Sequence, residues 1–243
     1  MRQRPRLVRN PKWASDVIAQ SWHTLQQEVP QWLPRLDLIE AVGAREIAAE
    51  ATEHGCGKYG CVYPTLDPNV VLKITTDDTE AEFAANLSST LVRPICTEYY
   101  RVARLALTHE GYPIYLLWRQ EAHHVGQLYE VIEDRIGPDA ADEAATLLIA
   151  QHKLAQTAYM IVSGHEFGDL MAAMNDWVMA VADLAVSGIP ILEQLFQGIL
   201  DVYNEQQIFF GDLHQGNLGA VTDDSGTERW VITDPGHVAV VDV

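Results

Sequence analysis

The chain has 243 residues, of which 48% are hydrophobic and 21% charged, with 16 glycines and 11 prolines. That composition supports a sizeable buried core and excludes collagen-like, low-complexity and wholly disordered classes. Lys and Arg number 16 against 34 Asp and Glu, and the formal charge of −18 argues against broad electrostatic binding of nucleic acid or of an anionic membrane.

The first twelve residues run against this balance, carrying Arg2, Arg4, Arg6, Arg9 and Lys12 and no acid. Such an arm either folds back on the acidic body or frays in solvent, a docking segment being the alternative. Cys56, Cys61 and Cys96 are an odd set with no paired framework, so free thiols and a reducing compartment are expected. No run of 18 uncharged apolar residues occurs and no apolar segment follows the basic start. The expectation is a cytoplasmic protein with neither a membrane span nor a secretory leader.

Trp13, Val17, Ile18, Trp22 and Leu25 recur at helical spacing, which predicts an N-terminal helical cap from Trp13 to about Val29. Short β-type runs then occupy Cys61–Tyr63, Val70–Ile74, Glu98–Thr108 and Pro113–Trp118, interrupted by one helix beginning at Thr79. Beyond residue 121 the pattern predicts helices over Asp139–Val162, Glu166–Val186 and Pro190–Gln206, punctuated by Gly137-Pro138, Gly164 and Gly188. A hairpin closes the series, Leu218–Thr222 and Arg229–Thr233 flanking Asp223-Asp224-Ser225-Gly226. The chain therefore reads as an extension (1–45), a small sheet with one helix (46–120) and a helical region ending in a hairpin (121–243).

Chemistry is suggested in three places. Gly55-Cys56-Gly57-Lys58-Tyr59-Gly60-Cys61-Val62 is a G-x-G-x-x-G-x-V run leading into a strand, where bare backbone can cradle phosphates; a Gly-rich hairpin without ligand is the alternative. Lys73 lies inside the apolar Val71-Leu72-Lys73-Ile74, where a buried ammonium needs an anion unless it snorkels from a strand edge. Glu80 is the expected partner in the following helix, Glu82 or a mere macrodipole role for Glu80 being the alternatives, while Thr79 and Glu82 have capping-box spacing. The third place is Phe209-Phe210-Gly211-Asp212-Leu213-His214-Gln215-Gly216-Asn217, then the hairpin, then Asp234-Pro235-Gly236. One potential base and two oxygen ligands for a hard cation are brought together there, although acid-rich turns are common on an acidic protein. Phe209 and Phe210 read as core packing under this loop, and His123-His124 as a loop feature. His54, Cys56 and Cys61 match no common metal-ligand spacing.

In this order the motifs resemble the protein-kinase-like superfamily. The Gly-rich loop is similar to that of Ser/Thr protein kinases, and Gly211–Asn217 resembles the catalytic loop of aminoglycoside and choline phosphotransferases. The resemblance implies an α+β, two-lobed protein-kinase-like fold with a minimal, truncated C-lobe and an N-terminal helical extension. It implies ATP and Mg²⁺ as cofactors, with Gly55, Gly57, Gly60 and Val62 over the nucleotide. Lys73 would sit on the α/β-phosphates, held by Glu80, and the backbone of Leu117-Trp118-Arg119-Gln120 would read adenine, engaging Trp118 and Gln120. Asp212 would act on the acceptor hydroxyl, Asn217 and Asp234 would hold Mg²⁺, and His214 would approach the transferred phosphoryl group or be an ordinary core or surface histidine.

Three residues depart from the family pattern: Phe210 stands where many members have His, Gly211 where protein kinases have Arg, and Pro235 where they have Phe. Seven residues follow Gly236, so the acceptor site is expected from Ala122–Gly188, from the N-terminal cap or from a partner subunit. Asp142, Glu143, Glu166, Asp169, Asp176 and Asp183 would suit a cationic acceptor or form a solvated acidic face. The activity implied is transfer of the γ-phosphate to a hydroxyl of a protein or small molecule; the alternative is a pseudokinase that binds nucleotide or a partner.

Overall fold

The computed structural model describes residues 18–20, 60–64, 69–86, 92–109, 112–223 and 225–241. They form a mixed α+β structure dividing into two compact units. One contains the described residues up to Asn86 together with Glu98–Glu121, and the other contains those of Leu87–Thr97 and Ala122–Val243. The sequence sets the whole of 46–120 in the sheet; the described residues 92–97 belong instead to the helical unit, where Thr97 N–H donates to the Ile232 carbonyl at 3.0 Å and Cys96 bridges to the same residue. No helix among the described residues is long and apolar enough to cross a membrane.

The sheet unit has five strands, β1 (Ile18–Gln20), β2 (Gly60–Pro64), β3 (Val70–Thr75), β4 (Tyr99–His109) and β5 (Tyr112–Gln120), in the order β1-β4-β5-β3-β2. All neighbours are antiparallel except β1, which lies parallel to β4 with Ile18 opposite Ala103. Ile18–Gln20 was expected to be helical; pairing along β4 overrides the spacing signal there. The rest of the predicted cap lies outside the described residues. α1 (Asp78–Asn86) begins behind Asp77, whose Oδ1 accepts the N–H groups of Thr79 at 2.9 Å and Glu80 at 3.2 Å. Asp77 is therefore the cap, correcting the Thr79–Glu82 capping box: Thr79 is already inside the helix. Ala81 and Ala84 of α1 pack on Tyr115 and Leu117 of β5, flanked by Tyr99 and Val102.

In the helical unit, α2 (Leu128–Arg135), α3 (Pro138–Val162), α4 (Leu170–Ala185) and α5 (Pro190–Gln206) follow one another. Pro138 and Pro190 occupy first-turn positions, where the missing N–H costs nothing. The α3 residues Ala141, Ala144, Leu148, Ala155, Ala158 and Val162 are buried along one stripe. Alanines there allow close helix approach. Met174, Trp177, Val181 and Leu184 supply the buried stripe of α4. This helix starts at Leu170, four residues after the expected Glu166, because Asp169 caps it by accepting Ala172 N–H at 3.2 Å. Trp177 meets Phe209 edge-on at 4.8 Å and Tyr203 at 5.2 Å, fixing the core beneath β6 (Ile208–Phe210). Gln207, left-handed at φ 55, ends α5 and turns the chain into β6. The hairpin strands are β7 (Leu218–Thr222) and β8 (Glu228–Ile232), and β9 (Val238–Val240) returns antiparallel to β6. Neither the β6–β9 pair nor α2 was read as an element from the sequence.

Candidate functional site

The hairpin register assembles the acidic constellation. Leu218 pairs with Ile232, and Thr233 N–H donates to the Asn217 carbonyl at 2.8 Å, so Asn217 and Asp234 leave the same end of the β7–β8 ladder. Asn217 closes a short 3-10 turn over Gln215–Asn217, and its Nδ2 donates to the Asp212 main-chain oxygen at 2.8 Å and to Asp212 Oδ2 at 3.4 Å. With the side-chain nitrogen engaged, Asn217 Oδ1 is the end available to a cation. Gly236 packs against Asp212 closely enough that a Cβ there would lie 3.5 Å from Oδ2. Asp212, Asn217 and the Asp234-Pro235-Gly236 turn thus occupy one place, as the sequence predicted, and their oxygen donors suit a hard cation such as Mg²⁺.

Backbone pairing holds this place rigid. Gly211 N–H donates to the His237 carbonyl at 3.0 Å, which anchors both ends of the loop to the β6–β9 ladder. Position 211 needs glycine: a Cβ would meet His237 O at 2.9 Å and Tyr159 Cβ at 3.0 Å. Gln215 Oε1 accepts Tyr129 N–H at 3.2 Å, tying the turn to α2, and Phe209 and Phe210 are fully buried beneath it as expected.

Two histidines lie near Asp212, of which His214 was expected from the sequence and His152 was not. His152 of α3 places Nδ1 3.9 Å from Asp212 Oδ1, at the same distance as His214 Nε2, and the two rings stand edge-on at 5.2 Å. Burial holds the His152 imidazole below its ordinary pKa; Asp212 opposes that and His214 and His237 add to it. His214 Nδ1 accepts Gly216 N–H at 3.0 Å, so the proton of the neutral ring sits on Nε2, toward Asp212. His237, left-handed at φ 56, stacks on Tyr159 at 4.3 Å. His152 lies sixty residues from the loop within a helical pattern, where nothing local distinguishes it from a core histidine.

In the sheet unit Lys73 Nζ stands 2.7 Å from Glu80 Oε2, with the two side chains 7% and 0% exposed. The Tyr99 hydroxyl donates to Glu80 Oε1 at 3.2 Å. Glu80 is thus the partner expected for Lys73. β3 presents Lys73 opposite Val62 on one side and Leu117 on the other. Gly60 begins β2, whereas Gly55 and Gly57 lie outside the described residues, as do His54 and Cys56.

The stretch expected to read adenine, Leu117-Trp118-Arg119-Gln120, lies at the end of β5. β5 lies between β3 and β4 with ladders on both sides, and Gln120 N–H donates to the Glu98 carbonyl at 2.7 Å. The Gln120 amide is therefore engaged by Glu98. Trp118 is buried, with the Arg101 guanidinium 5.0 Å above its ring. The six acidic residues considered for a cationic acceptor are all exposed, which fits a solvated face. Cys96 is a free, buried thiol. No protein-family model matches the chain, and no curated protein matches it.

Proposed function

We propose that the chain is a Mg²⁺- and ATP-dependent phosphotransferase of protein-kinase-like fold, its two compact units corresponding to the family's lobes. The observation that carries this reading is the convergence of Asp212, Asn217 and the Asp234 turn at one end of the β7–β8 hairpin. The buried Lys73–Glu80 pair supports it independently. Phosphoryl transfer asks little covalent chemistry of a protein and much positioning and charge neutralisation.

In this reading Lys73, oriented by Glu80, neutralises phosphate charge. Asn217 and Asp234 would hold Mg²⁺, which supplies further neutralisation of the phosphates. Asp212 orients the acceptor hydroxyl and takes its proton; the Asn217 amide fixes that carboxylate from one side. His152, kept neutral by burial, adds no cation that would pair with it. The acceptor is a hydroxyl of a protein or of a small molecule, and the unpaired Cys96 thiol is in keeping with a cytoplasmic location. The test is incubation with γ-labelled ATP and Mg²⁺, offered cell lysate and a panel of small alcohols. Label transferred by wild type and not by Asp212→Asn supports the reading. ATP binding without transfer to any acceptor would leave the chain a pseudokinase, and no ATP binding would remove both.

A further inference from the structure

His123 and His124 follow β5 directly and belong with β7 and β8 to the helical unit. His123 is fixed by two backbone hydrogen bonds with Ala220 of β7, each 2.8 Å. The chain then turns sharply. His124 is left-handed at φ 53, its carbonyl accepts Gln127 N–H at 3.0 Å, and Gly126 N–H donates to the Leu218 carbonyl at 3.1 Å. Both imidazoles thereby reach Glu228, the first residue of β8. Glu228 Oε2 lies 3.2 Å from His123 Nε2 and 4.0 Å from His124 Nε2, and the rings stand edge-on at 5.0 Å. One ligand-competent atom from each of the three residues lies within 4.8 Å of the other two.

Ion pairing and hydrogen bonding account for part of this arrangement, since His123 Nε2 is within hydrogen-bond distance of Oε2, but not for the placing of His124. The carboxylate already has a full counter-charge, because Arg135 Nη2 at the end of α2 sits 2.8 Å from Oε1. At 4.0 Å, His124 is beyond hydrogen-bond reach of the oxygen it faces. Two imidazoles and one carboxylate oxygen are the donor set of borderline divalent metals, and a tetrahedral ion bound at about 2.0–2.2 Å holds its ligand atoms about 3.3–3.5 Å apart. The carboxylate–imidazole separations of 3.2 and 4.0 Å bracket that spacing and no pair exceeds 4.8 Å, so side-chain rotations that draw the ligand atoms together by at most about 1.5 Å suffice. Arg135 fixes the second carboxylate oxygen, as outer contacts do for metal ligands. The side chains of His123 and His124 are 41% and 40% exposed, which leaves a path for the ion.

We propose that His123, His124 and Glu228 bind a divalent transition cation of the zinc class. The site is distinct from Asn217 and Asp234: Glu228 pairs with Thr222 at the turn end of the hairpin, four residues or about 13 Å along the strand from Ile232. A bound ion clamps the segment after β5 to the hairpin, and imidazole donors select it against Mg²⁺.

The test uses the full chain, stripped of metal by a chelator and titrated with Zn²⁺ in competition with a chromogenic chelator, in millimolar Mg²⁺. Wild type is expected to bind one equivalent that the double variant His123→Ala/His124→Ala loses while its far-UV circular dichroism is unchanged. His124→Asn, which keeps a residue tolerant of the left-handed backbone, should bind at least about tenfold more weakly and decides the matter if the double variant does not fold. Failure of wild type to bind Zn²⁺, or equal stoichiometry and affinity in wild type and variants, overturns the proposal.

Discussion

Replacing Glu80 with alanine leaves the Lys73 ammonium inside the sheet–helix interface without this counter-charge. Separated by 2.7 Å and 7% and 0% exposed, the pair has a direct attraction of about 6 kcal/mol at an effective dielectric near 20. Desolvation of both ions offsets most of that gain, so the pair as a whole contributes little net stability. Removing one member is different, because the other remains buried and charged; the expected cost is about 3–5 kcal/mol. Loss of the Tyr99 hydrogen bond at 3.2 Å falls within that figure. Exchanging both residues, as Lys73→Met/Glu80→Leu, should return stability to within about 1 kcal/mol of wild type or raise it. The assay is urea unfolding of Glu80→Ala and of the double-mutant cycle made by Lys73→Met, Glu80→Leu and the two combined, followed by near- and far-UV circular dichroism. A Glu80→Ala cost below about 1 kcal/mol, or additive effects in the double variant, would refute the reasoning.

If the proposed function holds, Asp212→Asn is expected to lower phosphoryl transfer by about 10²–10⁴-fold while leaving ATP affinity within a few fold, because the carboxylate would act on the acceptor; a parallel loss of ATP binding in calorimetry would contradict that role. Burial pushes the Cys96 thiol far above its ordinary range, with Arg229 only partly opposing, so iodoacetamide should spare Cys96 in the native protein and label it on unfolding, as read by peptide mass spectrometry. His152 has a folded pKa below its ordinary 6.5, so its contribution to stability is fully present above that value and is lost as pH falls through the lower folded one. His152→Gln should accordingly flatten the decline of Tm below pH 6.5, and an unchanged slope would count against the burial argument. Gly211→Ala drives a Cβ to 2.9 Å from the His237 carbonyl oxygen and should cost about 1–3 kcal/mol in urea unfolding, whereas a neutral result would show that the loop can shift.

What the sequence disclosed follows the range of each signal. Pro138–Val162 and Pro190–Gln206 were legible because a proline opens each and apolar residues recur along one stripe for several turns. The meeting of Asn217 and Asp234 was legible because an antiparallel hairpin must bring its two ends together, whatever its turn. Ile208–Phe210 and Val238–Val240 are three residues each, too short to show alternation, and their pairing depends on the whole loop between them. Asp77 won over Thr79 as the cap through a two-residue difference in cap position. His152 and Glu228 acquire their neighbours only through tertiary contacts, so neither the imidazole beside Asp212 nor the partner of His123 and His124 carries a local mark.

The central claim is most directly tested by calorimetric titration of the wild-type chain with ATP, in excess Mg²⁺ and again in excess chelator. Asn217 and Asp234 would face the phosphates as a carbonyl and a carboxylate, an arrangement that favours binding only with a divalent cation between them. The account predicts affinity at least about tenfold weaker in chelator, a difference that Asp234→Asn should largely abolish. Equal affinity in the two conditions, or no binding of ATP with Mg²⁺ present, would contradict it.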